Sequence, residues 1–366
     1  MKGTNSRRSI WAKAALIGVA VLLLIPLSAS VYYRSTAGGG CARCHEIADN
    51  YKLWQASSHR GVPCEKCHGE ELTLDLAFHL NNVNRVWVHL KGEVPEQIRV
   101  RFRDVPAIME RCRGCHQQEF AQWKSGPHAT PYSAIFVDEK HNKKRLLMDD
   151  CLRCHGMHFD GSINDLVTPV STQGPWKLRK PELADRPVIP CLTCHEMHHK
   201  GDEMGLKYRR TQRTGVQQET IRPSLALLDR RAQQHIDLSG MAIPLMREGQ
   251  RLVKMSPDRR QALCYQCHAP LSSAQAGSGD DRTPMGVHEG LSCLACHQKH
   301  AQLTRASCST CHPRLSNCGL DVEKMDTTFA NLKSKHDIHW VKCIDCHPKG
   351  VPVKKKVEVR ATAALR

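Results

Sequence analysis

Nine five-residue segments of this chain share one arrangement: a cysteine, two variable residues, a second cysteine and a histidine. They are "CARCH" (Cys41, Cys44, His45), "CEKCH" (Cys64, Cys67, His68), "CRGCH" (Cys112, Cys115, His116), "CLRCH" (Cys151, Cys154, His155), "CLTCH" (Cys191, Cys194, His195), "CYQCH" (Cys264, Cys267, His268), "CLACH" (Cys293, Cys296, His297), "CSTCH" (Cys308, Cys311, His312) and "CIDCH" (Cys343, Cys346, His347). Two thiols at this spacing can add to the vinyl groups of a porphyrin while the adjoining histidine takes an axial site on its iron; C-x-x-C-H is the attachment signature of c-type haem. The motifs use 18 of the 19 cysteines. Structural zinc pairs C-x-x-C units two at a time and does not call for a histidine behind every second cysteine. A disulfide framework strains adjacent C-x-x-C loops and leaves the histidines idle. The expected cofactors are nine covalently attached haem c groups.

A second axial ligand would have to come from elsewhere in the chain. Thirteen histidines stand outside the motifs: His59, His79, His89, His128, His141, His158, His198, His199, His235, His288, His300, His336 and His339. Seven of them fall in small repeats. A histidine stands five residues ahead of a first cysteine in "HRGVPC" (His59) and "HEGLSC" (His288), and four ahead in "HWVKC" (His339). A tryptophan stands five ahead of a histidine in "WQASSH" (Trp54, His59) and "WKSGPH" (Trp123, His128). A histidine follows the motif histidine by three in "CHGMH" (His158), "CHEMHH" (His198) and "CHQKH" (His300). Histidines this close along the chain cannot reach the far face of their own haem, so each is placed to ligate a neighbour, and such crossed ligation keeps macrocycles in contact as an electron wire requires. His79 and His89, on the expected helix "LTLDLAFHLNNVNRVWVHLKG", come next, then His336. His141 and His235 rank lowest, and for any one histidine the plain alternative is a surface or propionate-bonded role. The surplus suffices for bis-histidine coordination at every iron.

The bulk that must hold these groups is small, with about 41 residues available per motif. That is too little for an ordinary apolar core around each cofactor, so the porphyrins are expected to form the core themselves. The expected fold is mostly α and irregular, a multihaem cytochrome c of short helices and loops wrapped around stacked haems with one N-terminal transmembrane helix. The formal net charge is +17. Each haem brings two propionates against one net positive charge on ferric porphyrin, so nine would contribute roughly −9 oxidised and roughly −18 reduced. The lysines and arginines therefore read as propionate partners, and no nucleic-acid partner is expected.

At the N-terminus a basic flank (Lys2, Arg7, Arg8, Lys13) precedes an apolar run from Ala14 to Tyr33. Trp11 and Tyr32 are 21 residues apart, about 30 Å of helix, which matches a bilayer core with an aromatic belt at each face. A cleaved signal peptide is the alternative, with "SAS" at 28–30 as its cleavage site. Either way the haem-bearing part faces outward, where c-type haems are attached in bacteria and archaea. The expected organisation is a cytoplasmic basic flank (1–13), a single-pass anchor in the cytoplasmic membrane (14–33), a tetrahaem domain (34–160) and a pentahaem domain (161–366) on the periplasmic side. Within the last, about 200–262 is basic, cysteine-free and partly helical in pattern, an excursion over the surface.

The anchor followed by "CARCHEIADNYKLWQASSHRGVPCEKCHGE", "RVWVHLKGEV", "RCRGCH" and "CLRCHGMHF" resembles the NapC/NirT family of membrane-anchored tetrahaem quinol dehydrogenases, over about residues 1–160. The resemblance implies electron transfer from membrane quinol to a periplasmic redox protein or reductase in anaerobic respiration, with the haem on Cys41 and Cys44 nearest the quinol. It implies quinol oxidation as the chain's own possible activity. Two positions depart from the family's pattern: Ile47 stands where a methionine commonly lies near the first iron, and Arg85 where an acidic residue commonly precedes the Val-Trp pair. Asp49, Asp75 and Lys91 are the substitutes at hand for the missing acid.

The leading function is therefore electron relay from the quinol pool or a membrane partner to a periplasmic or extracellular acceptor. A multihaem reductase of nitrogen or sulfur oxyanions is the competing class. It needs an open iron site, whereas all nine motifs end in histidine and distal histidines are in surplus. A soluble periplasmic shuttle follows if the signal is cleaved. Cys318, the one cysteine outside the motifs, reads as a buried inert thiol, with an unusual haem ligand or an intermolecular link as alternatives.

Overall fold

The computed structural model describes residues 4–36, 39–69, 76–94, 99–198, 224–268, 282–300, 308, 311, 321, 337–346 and 348–350. His199, His312, His336, His347 and Cys318 lie outside them, and of His79 and Cys346 the backbone alone is described. Helices α1 (Thr4–Thr36), α2 (Ala48–Ala56), α3 (Cys64–His68) and α4 (Leu76–Leu90) are followed by α5 (Val105–Cys115), α6 (Gln117–Lys124), α7 (Tyr132–Phe136), α8 (Glu139–Asn142), α9 (Ile163–Leu166) and α10 (Gln261–His268). Short strands pair antiparallel, β1 (Val167–Thr168) with β2 (Lys177–Leu178), β3 (Ala226–Asp229) with β4 (Gln234–Asp237) and β5 (Arg247–Glu248) with β6 (Arg251–Leu252). The fold is mostly helical and irregular, as the composition implied.

Positions i, i+3 and i+4 share one face of a helical turn, which is what a cysteine pair and its histidine need to meet one porphyrin. Among the described residues, eight of the motifs begin on such a turn. Four lie in α-helix: α3, the end of α5, the end of α10 and the turn Cys343–Cys346. Four lie in 3-10 turns: Cys41–Arg43, Asp149–Arg153, Cys191–Thr193 and Cys293–Ala295. The amide of the motif histidine donates to the carbonyl of the first cysteine at His116 (2.8 Å), His155 (2.9 Å), His195 (3.1 Å) and His297 (2.8 Å).

The chain divides into two compact units: Met1–Lys207 with Glu219–Gly240 and His300–Gln302, and Tyr208–Gln218 with Met241–Lys299 and Leu303–Arg366. In the first, α1 contains a 23-residue stretch, Ile10–Tyr32, long and apolar enough to cross a membrane, and its Leu16, Leu22 and Ile25 are exposed. The stretch is about 35 Å long as helix, a little over a bilayer core. Helix α4 stops where Gly92 takes φ +70°. There the Gly92 amide donates to His89 (2.9 Å) and the Glu93 amide to Val88 (3.1 Å), a glycine-dependent pairing that satisfies the last carbonyls.

Residues 132–188 of this unit carry an ordinary apolar core, which departs from the expectation that porphyrins alone would fill the interior. Tyr132, Phe136, Leu152, Phe159, Leu166, Val167, Leu183 and Val188 are almost fully buried together. Phe102 packs edge-on against Phe159 at 5.6 Å, and Tyr132 stacks on Phe136 at 5.7 Å. Leu152, a variable residue of the fourth motif, belongs to this cluster, so the motif turn is fixed from its rear. Gly156, directly behind His155, holds φ +95°, and a Cβ there would meet Tyr132 at 2.9 Å. The local richness in aromatic and branched residues makes the difference, since the chain as a whole is only 5% aromatic.

The described part of the expected surface excursion, 224–262, forms strands rather than helix up to α10, and its first strand is buried while β6 lies at the surface. It forms β3, β4, β5 and β6, with Ala226, Leu227 and Leu228 buried. Asp229 Oδ1 accepts the amides of Arg231 (2.8 Å) and Ala232 (3.2 Å), and Gln233 takes φ +55°. That turn chemistry folds the segment back on itself and overrides its helical pattern. The Ala226 amide donates to Cys194 (3.1 Å) and the Glu196 amide to Ser224 (2.9 Å), so the hairpin lies along the fifth motif.

The second unit joins its motifs through polar groups. Buried Asp258 pairs with Arg260 (2.9 Å) and accepts from the Ser292 hydroxyl (2.7 Å), and Gln261 Oε1 accepts the Cys293 amide at 3.3 Å. The Met285 amide donates to His339 (2.6 Å) and the Val287 amide to Val341 (3.1 Å). Gly286 between them has no room for a side chain, because a Cβ would lie 2.2 Å from the Val341 carbonyl oxygen. Truncating the first unit's core by Phe136→Ala should cost about 3–5 kcal/mol, measured as a fall in denaturant midpoint. An unchanged midpoint would mean that haem packing alone stabilises residues 132–188.

Candidate functional site

The structure brings histidines together in pairs, each joining a motif histidine to one from elsewhere in the chain. Ring centroids lie 5.4 Å apart for His45 and His89, 6.2 Å for His59 and His116, and 5.9 Å for His68 and His198. They lie 6.1 Å apart for His195 and His300, and 6.2 Å for His297 and His339. Two imidazoles bound through nitrogen on opposite sides of a metal at about 2 Å would have centroids about 6.3 Å apart. Four of the pairs fall within a few tenths of an ångström of that value. The residues present therefore fit haem iron with two histidine ligands.

Hydrogen bonds to carbonyl and carboxylate oxygens fix the tautomer of several of these rings. A carbonyl oxygen cannot donate, so a ring nitrogen bonded to one must carry the proton, leaving the other nitrogen's lone pair available. His198 Nδ1 donates to the Asn50 carbonyl at 2.9 Å and His288 Nδ1 to the Ile338 carbonyl at 3.0 Å. His339 Nδ1 bonds to the Asp337 carboxylate at 3.1 Å. Each presents Nε2. His235 is turned the other way, its Nε2 donating to the Leu192 carbonyl at 2.8 Å, so it has no Nε2 lone pair to offer. His158 is the reverse case: its Nε2 is buried without a hydrogen-bond partner. Burial and the neighbouring His235 push the His158 ring down to about 4, against the raising effect of a bond to Leu192. Burial, with His116 beside it, lowers His59, and burial followed by His339 lowers His297. Neutral imidazole is the ligating form.

The first motif has an additional group. Glu46 accepts a hydrogen bond from His89 Nδ1, and its Oε1 lies 3.2 Å from His45 Nε2. These three residues form a cluster whose ligand atoms lie within 4.8 Å of one another. His89 thus stands beside His45, with Glu46 between their ring nitrogens. Glu46 escaped the sequence reading, although the signal was there: an acid directly behind the motif histidine recurs as Glu196, whose Oε1 lies 3.9 Å from His235 Nδ1.

The tryptophan repeat also has a structural meaning. Trp54 Nε1 donates to the Val62 carbonyl and Trp123 Nε1 to the Ile189 carbonyl, both at 3.0 Å. Each acceptor stands two residues ahead of a motif's first cysteine, so each indole pins the entry to a haem-binding turn. The H-x-G repeat is a tight turn, with the Val62 amide on the His59 carbonyl (2.8 Å) and the Leu291 amide on the His288 carbonyl (3.1 Å). His128 lies exposed on the turn Pro127–Ala129, and His141 bonds to Asn142 at 3.1 Å.

A family model described as cytochrome c554 and c-prime matches residues 111–173, which hold the third and fourth motifs. One described as cytochrome c7 and related cytochrome c matches residues 252–313, which hold the sixth, seventh and eighth. No curated protein and no solved structure matches the chain. With cytochrome c domains in both halves, the chain is a multihaem c-type cytochrome: an electron-transfer protein with covalently bound haem c. The bound haem supplies one-electron chemistry, and the protein supplies thiols, axial imidazoles and the hydrogen bonds that aim them. His198→Ala should turn one haem from low to high spin while every haem stays attached. Electron paramagnetic resonance checks this, and an unchanged low-spin population would remove His198 from the ligand set.

Proposed function

We propose that this cytochrome carries nine haems and relays electrons from the membrane quinol pool, or a membrane partner, to a periplasmic or extracellular acceptor. Nine complete motifs support the count. Each iron has a motif histidine on one side. The pairs described above would supply the other side for the second, third, fifth and seventh haems, with His89 the candidate at the first. His128, His158, His288, His79 and His336 are the remaining candidates. In this reading residues 34–160 form a tetrahaem module of NapC/NirT type that receives electrons, and 161–366 form a pentahaem part that carries them outward. The basic flank 1–13 stays in the cytoplasm and 14–33 is retained as the anchor.

One observation carries the reading: the first motif rests against the end of the apolar helix. The Arg43 guanidinium stacks over the Tyr32 ring at 5.7 Å, and a Cβ on Gly40 would lie 2.7 Å from the same ring. Tyr32 closes the stretch able to cross a membrane, so Cys41, Cys44 and His45 sit at its end, where a lipid-soluble donor arrives. A second histidine, His89, stands beside His45, which supports relay over substrate reduction at this motif.

Replacing residues 1–35 with an ordinary export signal should leave nine haem units on the polypeptide by mass while abolishing reduction by quinol-loaded membranes. Reduction as fast as in the full-length protein would make this a soluble periplasmic carrier.

A further inference from the structure

Helix α4 is amphipathic in the opposite sense to a helix that packs on a core. Leu80, Val83, Val86, Trp87 and Leu90 are 56%, 64%, 55%, 57% and 72% exposed. Their spacing gathers them into a stripe about 120° wide on one side of the helix. Half-buried Asn81, Val88 and His89 lie on the other side. His89, which meets His45, projects about 120° round the helix from the centre of the stripe. The donor that serves the haem site and the apolar face thus point in different directions. A soluble helix hides such a stripe, so something of matching chemistry has to cover it.

We infer that this face of α4 lies in the outer interface of the bilayer that α1 spans, giving the protein a second membrane contact beside its anchor. The occupant is a lipid surface because of where the helix is held. His89, in its last turn, stands against His45, and the motif of His45 is packed on Tyr32 at the end of the membrane-crossing stretch. The last turn of α4 is thereby held, through His89, His45 and Arg43, near the Tyr32 end of α1. The stripe has interfacial chemistry as well: the Lys91 ammonium lies 5.4 Å over the Trp87 ring. A tryptophan at headgroup depth with a lysine reaching outward is how interfacial helices seat. Two attachments, one spanning and one lying flat, fix the orientation of the first haem site to the membrane plane, which a single anchor with a free swivel does not.

The inference rests on reading Ile10–Tyr32 as a membrane span, and the experiment separates the two. The full-length holoprotein is reconstituted into phosphatidylcholine vesicles containing a phosphatidylcholine with a diazirine on its acyl chain, irradiated, and its peptides mapped by mass spectrometry. Labelling at Leu80, Val83, Trp87 and Leu90 is expected to approach that of α1 and to exceed that of exposed α6 by about tenfold. In the doubly substituted protein Val83→Glu with Leu90→Glu, the α4 label should be lost while the α1 label and the haem absorbance persist. A labelled α1 with an unlabelled α4 overturns this inference alone. An unlabelled α1 overturns the anchor itself, and a copy-to-copy cross-link across the stripe would make it a dimer contact instead.

Discussion

The approach of an imidazole from one stretch of chain to a motif imidazole from another is the interaction on which the proposed account depends. With mostly short helices and strands of two to four residues, the described chain has little regular structure to hold it in shape. The motif turns fix two attaching thiols and one imidazole locally, and the facing histidine must travel from far along the chain. His198 comes back to His68 and His300 to His195. Each such return closes a long loop, and a metal clip offsets much of that closure entropy. Attachment of haem and folding of the chain are in this account one process.

Around these clips the chain adds devices suited to each site. Tryptophan indoles pin motif entries at Val62 and Ile189. Carbonyls and carboxylates orient the distal rings through Nδ1. The fourth motif is backed by a conventional aromatic core through Leu152, and the fifth by a smaller cluster in which Leu192 packs with Val105, Met109 and Trp123. In the second unit the Asp258, Arg260 and Ser292 network does this by hydrogen bonding, joining the segment ahead of α10 to the start of the next motif.

The motif turns were legible in the sequence because their spacing is itself helical, and so was α4 down to its glycine stop at Gly92. Of the histidines in repeats, His59, His198, His300 and His339 stand beside a motif ring, as their spacing suggested, while His128 lies exposed. Which motif each one serves was not legible, because that is set by long-range closure that no local spacing encodes. Glu46 was missed because a carboxylate behind a motif reads as surface until His89 is brought to it. The hairpins after residue 224 were missed because a run of leucine, alanine and arginine favours helix locally, and only the Asp229 turn and the contact with the fifth motif reverse that.

The central claim is that the histidine pairs are the axial ligands. An anomalous-difference map of the holoprotein recorded at the iron edge tests it directly. The account places an iron peak midway between the rings of His45 and His89, His59 and His116, His68 and His198, His195 and His300, and His297 and His339. Peaks that sit beside the motif histidines but face water or a different side chain on the far side would contradict it.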